Sequence, residues 1–99
     1  MQWLKNYDVL LPNGTYSKLT EGTPQITDIE VFAGKGTNTV LRVKDFLVEN
    51  YGGNAENWMH SKGRGFVDYN GKSRKAMLHW FEEETICIVE MKVKGWSKK

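Results

Sequence analysis

The hydrophobic pattern changes its period partway along the chain. From Gly63 onward apolar and polar residues alternate, the period of two that sends successive side chains to opposite faces of a strand. Residues 66–69 and 73–81 flank Asn70-Gly71, and a two-residue Asn-Gly loop between such runs predicts a hairpin, because a type I′ turn needs positive φ at both central positions. Residues 86–94 follow after Glu82-Glu83-Glu84-Thr85 and predict a third strand. Pairing about that loop sets Trp80 opposite Cys87, Leu78 opposite Val89 and Ala76 opposite Met91, so the apolar sets agree across the pair.

Earlier in the chain the signals are mixed. Residues 26–33 predict a strand with Thr27, Ile29 and Val31 on one face, ending at Gly34-Lys35-Gly36-Thr37. That glycine-rich stretch lacks the spacing of a Walker phosphate loop and reads as a turn. Residues 41–51 place Val43, Phe46, Leu47 and Tyr51 at helical spacing, and Gly52-Gly53 end the run. Asn54 then predicts the cap of a short second helix over 55–60 with Trp58 pointing inward. Residues 1–25 read as an irregular or short-stranded lead-in, with turn signals at Pro12-Asn13-Gly14 and Gly22-Thr23-Pro24.

Ninety-nine residues with four tryptophans suit one domain over 1–99, divided into the lead-in, a strand-and-helix segment at 26–61 and a sheet at 62–96. The expected fold class is α+β: one or two short helices packed on a C-terminal three- to four-stranded antiparallel sheet. Cys87, the single cysteine, falls in the apolar alternation and reads as a small core hydrophobe. With no signal peptide or membrane span legible, the expected location is cytoplasmic.

Charge adds an asymmetry. Residues 1–61 hold 5 Lys/Arg and 7 Asp/Glu, whereas residues 62–99 hold 9 and 5, so the positive field lies on the C-terminal sheet. The alternation puts Asp68, Lys75, Met77, His79, Phe81, Ile88, Glu90 and Lys92 on the face away from the apolar set. This mixture fits either partial cover by the helices or contact with a ligand.

Two chemistries follow from that face. Imidazole exchanges protons near neutral pH, so His79 with Lys75 four residues upstream could abstract a 2′-hydroxyl proton and steady a phosphate without metal or cofactor. Equally, His79 could satisfy a hydrogen bond at the sheet margin; His60 has the same ambiguity with less context. The second chemistry is binding: Lys62, Arg64, Lys72, Arg74 and Lys92, with Phe66 and Tyr69 between, interleave cations with rings as single-stranded nucleic-acid binders do. Turn chemistry and edge protection also produce such residues. One cysteine and two separated histidines make no zinc set. Glu82, Glu83 and Glu84 read as a solvated loop that could also engage a basic protein surface.

Several segments carry a family resemblance: GTPQITDIEVFAGKGT, the helix ending in YGG, Asn57-Trp58, KGRGFVDYNGKSRKA, Leu78-His79-Trp80-Phe81-Glu82 and VEMKVKGW. Together they resemble C-terminal domains associated with phage and prophage head-morphogenesis proteins, and toxin modules grouped with barnase-, EndoU-, colicin- and RelE-like ribonucleases. The resemblance implies helices before an antiparallel sheet, His79 and Lys75 as catalytic candidates, and Arg64 and Arg74 for phosphate. A chain starting at Met1 with no head-protein region before it suits a free-standing phage effector in the host cell. Three expectations result: an anti-CRISPR-like inhibitor that binds RNA or a host nucleoprotein complex, a metal-independent endoribonuclease, or a virion accessory module.

Overall fold

In a computed structural model, which describes residues 8–20 and 25–97, the chain is built mainly of strands. These are β1 (Asp8–Leu10), β2 (Tyr16–Lys18), β3 (Ile26–Gly34), β4 (Met59–Tyr69), β5 (Lys72–Glu83) and β6 (Cys87–Trp96). Among the described residues one α-helix, α1 (Lys44–Tyr51), and a single 3-10 turn at Ala55–Asn57 interrupt them. The strands form one sheet in the order β2-β1-β6-β5-β4-β3. All neighbours are antiparallel except β1 and β6, which meet in parallel at Leu10 and Lys92. The expected three- to four-stranded antiparallel sheet is therefore corrected to a six-stranded mixed sheet with one helix.

Two of the additional strands come from the segment read as a lead-in. β1 and β2 are three residues each, too short to show a period, and are joined through Pro12-Asn13-Gly14, where the Asn13 side chain accepts from the Thr15 N–H at 3.0 Å. The turn signal Gly22-Thr23-Pro24 and residues 1–7 lie outside the described residues. Beyond β2 the chain crosses to β4: Leu19 pairs with Val67, the Thr20 N–H donates to the Phe66 carbonyl at 2.8 Å, and Ser17 Oγ donates to the Asp68 carbonyl. The sheet thus curls until β2 bridges back to β4.

That curl encloses the main core. Val9, Leu11, Leu19, Ile26, Val67, Ala76, Leu78, Trp80, Met91 and Val93 are buried inside it. β4 could not line this core with large side chains, because its inward positions are Ser61, Gly63, Gly65 and Val67. A Cβ on Gly63 would come within 2.7 Å of the Ile26 side chain and 3.0 Å of the Trp80 ring. Two glycines in a strand weaken its intrinsic preference yet let neighbouring bulk approach. For that reason the N-terminal half of β4 was not legible as a strand from residues 66–69 alone.

A second core lies at the opposite end, where Ala33, Leu41, Leu47, Trp58 and Val89 pack with Phe32, Val48, Tyr51, Phe81 and Ile86. Trp58 is inward as expected, 1% exposed, and its indole N–H donates to the Gly52 carbonyl at 3.1 Å. The expected second helix shrinks to the 3-10 turn, capped by the Asn54 side chain accepting from Glu56 N–H. The helix stripe is also corrected: Leu47, Val48 and Tyr51 face the core, while Val43 and Phe46 are exposed.

The Asn70-Gly71 loop joins β4 to β5 with Tyr69 opposite Lys72 and φ of 53° and 76°, the conformation a type I′ turn needs. The next pairing differs from expectation. β5 runs on to Glu83, so Leu78 faces Val93 rather than Val89, and an irregularity between His79 and Phe81 brings Phe81 opposite Val89. Cys87 consequently sits opposite Glu83 at the strand end, exposed and with φ of 77°, not in the core. On β3, irregularities between Thr27 and Glu30 and between Val31 and Ala33 break the expected face, burying Ile26 and Ala33 and exposing Ile29.

Candidate nucleic-acid interface

Strand parity sorts the candidate residues onto two sides of the sheet. Ala76, Leu78 and Trp80 of β5 point into the core, so Lys75, Met77, His79 and Phe81 point outward. On β4 the outward residues are His60, Lys62, Arg64, Phe66 and Asp68; on β6 they include Glu90, Lys92 and Lys94. Registers align these into cross-strand rows. Lys62, His79 and Lys92 form one row; Arg64 stands beside Met77, and Phe66 beside Lys75. Phe66 and Met77 are 48% and 44% exposed, which leaves apolar surface among the cations.

At one end of this face four rings gather. His60 stacks on Phe81 with centroids 4.2 Å apart and lies 4.3 Å from Phe32; His79 lies 5.0 Å from Phe32 and 5.5 Å from His60. The Lys62 ammonium stands 5.7 Å over Phe32. Burial among these rings pushes His60 down to about 4, with His79, Lys92 and Lys94 adding repulsion. Burial lowers His79 as well, helped by Lys94, Lys62 and Lys92. Both imidazoles are therefore neutral at pH 7.

Lys75 and His79 do share the outer face. Four residues of extended strand separate their Cα atoms by about 13 Å, however, so the fold gives His79 the neighbours His60, Phe32, Lys62 and Lys92 instead. Among the described residues no three His, Cys, Asp or Glu side chains gather as a metal would need.

The binding candidates divide in two. Lys62, Arg64 and Lys92 belong to the outer face. Tyr69 and Arg74 have core-side parity and cap the sheet's far end: Tyr69 and Trp96 lie 4.9 Å apart against the main core, with the Arg74 guanidinium 4.5 Å over Trp96 and 5.7 Å from Tyr69. Lys72 stands at the hairpin turn opposite Tyr69.

The acidic run is also corrected. Glu83 is 2% exposed and its carboxylate accepts from Asn54 N–H, Thr85 N–H, Thr85 Oγ and Ile86 N–H at 2.5–3.2 Å. The Thr85 hydroxyl first, then the Asn54 and Thr85 backbone donors, hold it down to about 2. Glu82 accepts from Trp80 Nε1 at 2.7 Å and Ser61 Oγ at 3.1 Å. Only Glu84 of the three is exposed, 3.6 Å from Lys35.

Sequence reading placed Met77 on the outer face but missed Lys94 and Phe32. Lys94 continues the same alternation; Phe32 reaches its place only through the β3 irregularity. No helix among the described residues is long and apolar enough to cross a membrane. Comparison with known proteins finds no matching family model, no matching curated protein and no matching solved structure.

Proposed function

We propose that this chain is a small nucleic-acid-associated binding protein of phage origin that engages single-stranded RNA, alone or within a host nucleoprotein complex, through the outer face of β4, β5 and β6. The observation that supports it best is the row Lys62, His79 and Lys92, flanked by Arg64, Lys75 and Lys94 and interrupted by exposed Phe66 and Met77. Cations track a phosphate backbone while exposed apolar and ring surfaces accept unstacked bases, which is how single strands are held without a groove to read. Binding comes ahead of cleavage because a general base needs a partner within reach of the same bond, and Lys75 stands too far along the strand from His79.

Occupying RNA or the RNA-bearing surface of a host machine would make the protein an inhibitor acting in the host cytoplasm. The phage-like segments around Leu78-His79-Trp80-Phe81-Glu82 and VEMKVKGW support that part of the reading. Fluorescence anisotropy of the full chain with a labelled ten-nucleotide RNA at 50 and 200 mM salt tests it. Expected is salt-sensitive binding that Phe66→Ser weakens about tenfold, the scale of one lost stacking contact. Failure of the wild-type protein to bind RNA at 50 mM salt would overturn it.

A further inference from the structure

Within the outer face, between β3, β4 and β5, lies a shallow depression of about 220 Å³ whose lining includes Asp28, Glu30, Lys62, Arg64, Met77 and His79. Its acids are brought there by the irregularity in β3. Thr27 pairs with Arg64, so an unbroken antiparallel ladder would set Ile29 against Lys62; the extra residue sets Glu30 there instead, with Asp28 at φ 55° within it.

The resulting charge pairs are loose. Glu30 Oε1 stands 3.8 Å from Lys62 Nζ and Asp28 Oδ2 stands 3.9 Å from Arg64 Nη1, both beyond hydrogen-bonding distance. Both pairs are open to solvent, the carboxylates 66% exposed and the cations about half exposed, so the depression presents accessible acceptors directly beside accessible donors. The Met77 side chain and the His79 ring add polarizable and planar surface to its wall.

A matching ligand is planar and carries two adjacent N–H donors next to a carbonyl oxygen. It also hangs from a phosphate chain that the neighbouring lysines can hold. The pairing edge of guanine has this order, O6 then N1–H then N2–H₂, so a carboxylate can accept the two donors while a cation donates to O6. Uracil offers a single N–H between two carbonyls, and adenine and cytosine place a bare ring nitrogen beside their amino group; none satisfies a two-oxygen acceptor as well. We infer that this depression is a one-base subsite that selects guanine within single-stranded RNA lying across the face. The inference rests on the RNA-binding reading given above.

The test compares labelled octanucleotides, all-uracil or with one central guanine, adenine or cytosine, titrated with the full chain and with Asp28→Asn/Glu30→Gln. Asparagine tolerates positive φ, so the variant keeps its backbone, and far-UV circular dichroism checks its fold. Expected is at least fivefold tighter binding of the guanine strand than of the all-uracil strand, with the ratio falling below about twofold in the double variant. Equal affinity for all four strands overturns the subsite while leaving the face as a nonspecific binder. A uniform tightening of every strand in the double variant, with the guanine ratio intact, also overturns it, since the carboxylates would then only compete with phosphate. Absence of binding to all four strands overturns the subsite and the RNA reading together.

Discussion

Two constellations of cations and rings occupy this sheet, and in the sequence they look alike. Tyr69, Arg74 and Trp96 sit at one end, Phe32, His60, Lys62, His79 and Phe81 at the other. The first lies on the core side, where Arg74 lays its guanidinium over Trp96 and closes the open end of the main core. The second lies on the outer side, continuous with Arg64, Lys75, Lys92 and Lys94. Composition cannot separate them; strand parity does. Arg74, stacked on a ring that packs against the main core, works as amphipathic cover, its stem apolar and its head wet, whereas among the described residues of the outer side only Lys62 stands over a core-packed ring and the row beyond it is open to a ligand.

The comparison breaks most visibly at Trp96. Trp96→Ala should cost about 2–3 kcal/mol of unfolding free energy, below the range for fully buried tryptophan because this ring is only partly covered. Urea unfolding measures it, and RNA affinity of the folded fraction should stay within twofold of wild type. A large affinity loss with unchanged stability would move this end into the binding surface. Next in size, Lys62→Ala/Lys92→Ala should weaken RNA binding about tenfold and lower the log–log salt slope by about two, with no loss of urea stability. Loss of stability without loss of binding would reverse the assignment of the two ends. Smaller again, Arg74→Gln should cost about 1 kcal/mol through the lost stacking and leave RNA binding unchanged.

How much of this was legible beforehand depends on what each residue's signal is made of. The β4–β5 hairpin could be read because Asn70-Gly71 demands one backbone conformation whatever surrounds it. Outward parity at Lys75, Met77, His79 and Lys92 followed from the same alternation. Alternation alone sets Leu78 against Val89, because it ends the strand at Phe81, before a run of glutamates with the character of a solvated loop. Glu83 instead extends β5 and anchors the Asn54 and Thr85 backbone, and a carboxylate's donors arrive from other parts of the chain. Gly63 and Gly65 disguised β4 for a comparable reason: their value lies in letting Ile26 and Trp80 approach, a property of the assembled sheet. Cys87 fell out of the core once the register moved. The ring cluster on the outer face was similarly out of reach, since it needs Phe32 delivered across an irregular edge strand.

Acidity sharpens the contrast by the smallest amount, because only one of the two ends contains imidazoles. His60 is held down to about 4 in the folded protein, against about 6.5 in an unfolded chain. Between those values the unfolded chain takes up a proton that the folded protein refuses, so stability is full above pH 6.5, falls as pH drops, and levels off below about 4. His79 shifts in the same direction and adds to the slope. Glu83 contributes its own loss at lower pH, present above about 4.5 and lost as pH falls toward 2, which leaves pH 6.5 to 4.5 as the diagnostic window. Because the imidazole is partly solvated, the His60 contribution there should be about 1 kcal/mol, roughly 4–8 °C in thermal midpoint. His60→Phe, which keeps a ring between Phe32 and Phe81, should flatten that decline, whereas Arg74→Gln should shift the whole curve without changing its shape. Equal slopes for wild type and His60→Phe across this window would show that the outer ring cluster is as wet as the surrounding lysines, removing the physical difference between it and an ordinary charged surface.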